Sequence, residues 1–188
     1  MSAYKTLKFK IIGVAPLLMH NGQTADPLNH HSKSIAEITS KRKKTEADHL
    51  EVARREWFAC LYLMNGEPCI PGEVIEAVLV AGAKKERRGD AAKAGIIVEN
   101  NSQLLYKGPR KPEELWKDER FRLRVPARLK SQRIIRTRPR FDDWSAEIVV
   151  KYLPTLVNPS EVRSFLVTAG EQVGLCDWRP RFGRFVVE

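Results

Sequence analysis

Trp144-Ser145-Ala146-Glu147-Ile148-Val149-Val150-Lys151-Tyr152 alternates side chains so that Ala146, Ile148, Val150 and Tyr152 share one face, the pattern of a half-buried strand. Downstream, Asn158-Pro159-Ser160-Glu161 offers a capping side chain, a proline at the first helical position and a carboxylate in the first turn. Val162, Phe165, Leu166, Ala169 and Val173 continue as an apolar stripe, and Gly174 suits the left-handed stop. Phe182-Gly183-Arg184-Phe185-Val186-Val187 alternates again and reads as a closing strand. The C-terminal part is therefore predicted as strand, helix, strand.

The rest of the chain completes the pattern. Leu7, Phe9 and Ile11 alternate with Thr6, Lys8 and Lys10, predicting a first strand over 7–14. Pro71-Gly72 opens a helix over 72–85 whose stripe is Val74, Ile75, Val78, Leu79 and Gly82, and the glycine predicts close approach to a sheet. Arg120–Val125 reads as a strand, with Phe121, Leu123 and Val125 on one face and a ladder of Arg120, Arg122 and Arg124 on the other. Taken together the order is strand, helix, strand, strand, helix, strand, the split βαβ pattern. The fold class expected is α+β, a single domain over 1–188 with a ferredoxin-like (split βαβ, RRM-like) core. A long insertion after the first strand, about 15–71, and a basic hairpin or loop, about 126–140, elaborate it. Within the insertion, Gln23–Ser40 reads as loop, Thr45 caps a helix carrying Leu50, Ala53, Trp57 and Leu61, and Asn65-Gly66 marks a hairpin. A second hairpin is expected between Ile96–Val98 and Leu104–Tyr106.

Charge supplies the functional reading. The chain has 188 residues, 43% of them hydrophobic, and a formal net charge of +10, which favours a polyanionic partner. Nine basic residues and no acid lie between positions 120 and 140: Arg120, Arg122, Arg124, Arg128, Lys130, Arg133, Arg136, Arg138 and Arg140. Like charges in such a run repel unless a partner neutralises them. Lys41, Arg42, Lys43 and Lys44 form a second basic run, expected to be an exposed finger. Near the C-terminus Trp178, Arg179, Arg181 and Arg184 bring planar cations beside an aromatic ring, the pairing that holds a phosphate and stacks on a base.

Three cysteines at wide spacing, without a Cys-x-x-Cys pair, point to reduced thiols and away from a disulfide framework or a zinc site. Neither a signal peptide nor a membrane span is legible, so a soluble cytoplasmic protein without cofactor or metal is expected. No Gly-rich phosphate loop, catalytic carboxylate pair or Ser nucleophile elbow is present in the sequence.

In this order the chain resembles the repeat-associated mysterious protein (RAMP) superfamily, which includes the backbone subunits of CRISPR effector complexes. The residues that carry the likeness are Gly13 with Pro16-Leu17-Leu18 after the first strand, Ile70-Pro71-Gly72 at the entry to a small-residue helix, and the basic loop from Gly174 to Gly183. The resemblance implies a subunit that self-assembles along single-stranded RNA, alone or with other effector subunits, as a compact form borne by a phage or mobile element. It assigns Arg179, Arg181 and Arg184 to the C-terminal loop and makes 41–44 and 127–138 finger or thumb elements. Some members cleave RNA, with or without a metal, which makes His20, Asp26, His30 and His31 catalytic candidates, a His acting as base on a ribose hydroxyl. A non-catalytic role is the primary expectation. The alternatives are a phage-type protein that coats or anneals single-stranded DNA, a RAMP-type RNA endonuclease, and a basic subunit that meets an acidic protein.

Overall fold

From the N-terminus the elements are β1 (Lys5–Gly13), β2 (Leu17–Leu18), α1 (His30–Thr39), α2 (Glu46–Cys60), β3 (Leu63–Met64), β4 (Glu67–Ile70) and α3 (Gly72–Lys85). There follow α4 (Gly89–Gly95), β5 (Ile96–Ile97), β6 (Ser102–Gln103), β7 (Leu105–Tyr106), α5 (Pro112–Lys117), β8 (Arg122–Leu129), β9 (Gln132–Phe141), β10 (Trp144–Tyr152), α6 (Pro159–Gln172) and β11 (Phe185–Val187). The structure, a computed structural model, describes residues 3–129 and 132–188. The protein is mixed α+β with antiparallel sheets, and its contacts gather into two compact units.

The first unit comprises Met1–Leu18, Leu63–Lys107 and Phe141–Glu188. Its main sheet has the order β11-β1-β10-β5, and the described pairings are antiparallel. Opposed residues share a face, so Phe9 with Ile148 and Ile11 with Ala146 make one continuous apolar layer. Lys8 and Lys10 point the other way and are exposed. The expected helices α3 and α6 are present, α3 led in by Pro71 without a side-chain cap. Asn158 accepts from the Glu161 backbone N–H while the Glu161 side chain accepts from the Asn158 N–H, a capping box at the head of α6. Gly174 closes that helix at φ +77°. Asn65 (φ +54°) and Gly66 (φ +80°) form the expected β3–β4 turn, the double left-handed geometry that suits a two-residue hairpin.

Two expectations are corrected here. Arg120–Val125, expected as a strand of the split βαβ core, does not join the core sheet: from Arg122 it pairs with β9, and the strand beside β10 at Tyr152 is Ile96–Ile97. Likewise β5 and β7 do not pair as a hairpin: both bond to β10, at opposite ends of it, while β6 bonds to β4. Runs of two residues are too short for periodicity to reveal their partners. Gly82 does mark a close approach, but to a helix: a Cβ there would collide with the Phe165 carbonyl and press on Ala169 of α6.

The second unit comprises Met19–Tyr62 and Gly108–Arg140. The region expected to be loop over 23–40 contains α1, capped by the Asn29 side chain on the His31 N–H. It has few apolar residues, and it is held to α2 by Arg55, whose Nη1 reaches the Ser34 carbonyl at 2.6 Å and the Glu37 carboxylate at 3.3 Å. Trp57 is fully buried and donates its indole N–H to the Phe121 carbonyl at 2.8 Å.

Candidate functional site

The basic segment folds as the β8–β9 hairpin, with Arg122 opposite Pro139, Arg124 opposite Thr137 and Arg128 opposite Arg133. Register puts Arg122, Arg124, Arg133 and Ile135 on one face, and Leu123, Val125, Ala127, Arg136 and Arg138 on the other. Arg124, Arg133 and Ile135 are exposed. Among the described residues no ion pair engages Arg124 or Arg133.

Other cations in this run have acids of their own, contrary to the expectation that they stand unneutralised. Arg120 is not on the ladder: it sits in a 3-10 turn and binds the Asp118 carboxylate at 2.6 Å, which holds that carboxyl below the usual range. Arg122 lies over the Trp116 ring, 4.6 Å from its centre, and meets Glu119 at 3.3 Å. Arg136 and Arg138 turn to Glu56 of α2, at 2.8 and 3.3 Å. Arg140 is partly buried. Lys130 lies outside the described residues, as does the side chain of Arg128.

Glu56 is only 6% exposed, yet its carboxylate is well satisfied. Besides the two guanidinium groups, its Oε2 accepts the Thr137 backbone N–H at 2.9 Å. Arg138 also reaches the Cys60 Sγ at 3.3 Å. A buried charge survives only with such partners, because the desolvation cost must be offset. Glu56 escaped sequence reading although a signal existed: a carboxylate between Ala53 and Cys60 sits on the buried stripe of α2, where an unpaired acid would not be tolerated.

This cluster forms part of the wall of a recess of about 380 Å³ whose remaining wall includes His20, Ser32, Ala36 and Ala127. The turn after β2 positions His20 by capping the C-terminal carbonyls of α2. Gln23 donates to the Ala59 carbonyl at 2.8 Å, the Asn21 N–H to Cys60 at 3.1 Å, and the Tyr62 hydroxyl to the His20 carbonyl at 2.8 Å. Of the four catalytic candidates, His20 alone lines the recess. Asp26 is exposed and accepts the Leu28 N–H. His30 and His31 open α1 with ring centres 3.9 Å apart, and burial, with the neighbouring ring, lowers the His31 pKa. Residues 41–44 are exposed, as expected; Lys41 pairs with Asp48 at 2.6 Å and Lys44 donates to the Lys41 carbonyl, while Arg42 and Lys43 point to solvent.

The C-terminal loop belongs to the first unit. It is pinned by backbone bonds from Gly183 to the Pro16 carbonyl (2.8 Å) and from Asp177 to Leu18 (2.9 Å). Arg179, Arg181 and Arg184 are exposed; Arg181 lies 5.9 Å from the Phe182 ring centre, and Arg184 donates to the Pro180 carbonyl. Trp178, at φ +51°, is partly exposed and tilted against Phe182. Trp144 is 3% exposed and donates its N–H to the Ala15 carbonyl at 2.9 Å, so it belongs to the core. Gly13 is what lets that indole lie across β1, since a Cβ there would strike the ring.

No protein-family model matches the chain, and no curated protein matches it. Among the described residues no group of three or more His, Cys, Asp or Glu side chains is placed to hold a metal ion, and no helix is long and apolar enough to cross a membrane.

Proposed function

We propose that the chain is a single-stranded nucleic-acid-binding protein, most suited to RNA, built on a ferredoxin-like core and related to the RAMP backbone subunits. The observation that carries the reading is the β8–β9 hairpin, which presents Arg124, Arg133 and the apolar Ile135 together on one exposed face. Guanidinium groups and an apolar side chain side by side on a two-stranded ribbon suit a flexible strand, whose phosphates need cations and whose bases need a face to lie on. The net charge of +10 and the exposed Arg42, Lys43, Arg179, Arg181 and Arg184 add to it. The sheet order β11-β1-β10-β5 with the paired helices α3 and α6 supports the ferredoxin-like label. Self-assembly along the strand, with or without other effector subunits, follows from the RAMP likeness.

A second reading, RNA cleavage, draws on His20, which lines the same recess as Arg136 and Arg138. A His that takes the proton of a ribose 2′-hydroxyl lets that oxygen attack the adjacent phosphorus and displace the 5′-oxygen of the next nucleotide, with the cations facing the charge that develops. One experiment separates the readings. The purified protein is mixed with labelled single-stranded RNA and with DNA of the same sequence, and both retention and strand length are followed. Retained, intact RNA bound more tightly than DNA is the expected result. Tighter DNA binding would make it a DNA-coating protein, cutting that disappears in His20→Ala would make it a nuclease, and no retention of either would overturn nucleic-acid binding.

A further inference from the structure

The two faces of the hairpin divide its cations between solvent and the recess beside α1 and α2. In that recess two guanidinium groups face a single carboxylate, Glu56, the one acid among the described lining residues, so the lining is positive by one formal charge. Arg136 commits one Nη1 to Glu56 at 2.8 Å, and its side chain is 35% exposed. A guanidinium carries five N–H donors in a fixed fork, so most of those on Arg136 remain for a ligand while Glu56 holds the fork in place. Ile35 and Ala36 of α1, with Ala127 on the same hairpin face as the arginines, supply the apolar part of the lining. The volume, about 380 Å³, falls in the lower part of the ~300–1,000 Å³ range of small-molecule sites. A bare phosphate would leave the apolar wall unused, and a carboxylate side chain would leave most of the space empty.

We propose that this recess seats one nucleotide of the bound strand, its phosphate on Arg136 and its base against Ile35, Ala36 and Ala127. The inference rests on the nucleic-acid reading of the preceding subsection and gives it a defined pocket, distinct from the exposed face that carries Arg124 and Arg133. Glu56 acts as a positioning residue that keeps the guanidinium from collapsing onto solvent.

The test uses the full chain with four probes: uridine 5′-monophosphate, uridine, inorganic phosphate and a short oligouridylate RNA. Titration calorimetry reads the first three and fluorescence anisotropy the last. The monophosphate is expected to bind, with uridine and phosphate each at least ~10-fold weaker, since each satisfies only one wall. Ala36→Trp, on an exposed position of α1, occupies the recess while keeping Glu56, Arg136 and Arg138 in the chain, and should abolish monophosphate binding and weaken RNA binding. Arg136→Lys keeps a cation for Glu56 but loses the fork, and should weaken the monophosphate by at least ~10-fold even if the tryptophan variant does not fold. Monophosphate binding no tighter than inorganic phosphate, or unchanged in both variants, overturns the proposal. RNA that binds while the monophosphate does not sinks this inference alone. A monophosphate that binds through Arg136, with no RNA binding, keeps the pocket and removes the strand-binding reading.

Discussion

Glu56 is the residue on which the second unit turns, because two arginines and a backbone N–H converge on one buried carboxylate. Glu56→Ala leaves two guanidinium groups without their anion and is expected to cost ~3–5 kcal/mol in urea unfolding, the range for breaking a buried pair. A loss below ~1 kcal/mol would mean that water already reaches the cluster, as it does at surface pairs. The thiols give a second check at this scale. Burial pushes Cys69 up to about 11 and Cys176 up to about 12, so neither carries appreciable thiolate at neutral pH. Cys69, 1% exposed, should resist a thiol-reactive chromophore in the native protein at pH 8 and react once it is unfolded. Fast labelling of Cys69 under native conditions would contradict its packing.

At the scale of elements, the α3–α6 contact depends on Gly82. Gly82→Ala drives a methyl into the Phe165 carbonyl, and overpacking of this kind is expected to cost ~1–3 kcal/mol, readable as a lowered unfolding midpoint. A neutral result would show that the two helices slide apart freely. The N-terminus of α2 carries a capping box in which Thr45 and Asp48 satisfy each other's backbone N–H. Hydrogen bonds from Lys41 and Thr45 depress the Asp48 pKa to about 2 from its ordinary 3.8. A depressed carboxyl stabilises the fold above its unfolded pKa, and that contribution disappears as pH falls through the folded one. Asp48→Asn should therefore be less stable than the parent at neutral pH and converge with it between about pH 4 and pH 2, as followed by thermal unfolding. A constant gap over that interval would exclude the ionised cap.

Long amphipathic elements and their punctuation were legible in the sequence because the information is local. Pro71-Gly72, Asn158–Glu161, Asn65-Gly66 and Gly174 each require one backbone geometry, and each adopts it. What sequence could not provide was partnership. Strands of two residues carry no period, so nothing in Ile96–Ile97 marks it as the neighbour of Tyr152, whereas the alternation of Arg120–Val125 reads as a core strand. In the basic segment the error was one of range. An acid-free window from 120 to 140 reads as unneutralised charge, but Asp118 and Glu119 lie just outside it, and Glu56 lies far upstream and returns through folding. Arg124 and Arg133 stay exposed, with no ion pair among the described residues.

For the whole molecule, the proposed function is that of a basic protein, net charge +10, that engages a single strand through the exposed face of its hairpin. Each phosphate neutralised should add about 0.7 to the slope of log affinity against log salt for a single strand. The direct measurement is that slope for oligouridylate RNA, taken from ~50 to ~200 mM salt, for the parent protein and for Arg124→Gln combined with Arg133→Gln. The proposed function predicts a steep parental slope, reduced by ~1.4 in the double variant, with affinity weakened by at least ~10-fold at the lower salt and unfolding unchanged. A double variant that binds with the parent's affinity and slope would contradict it.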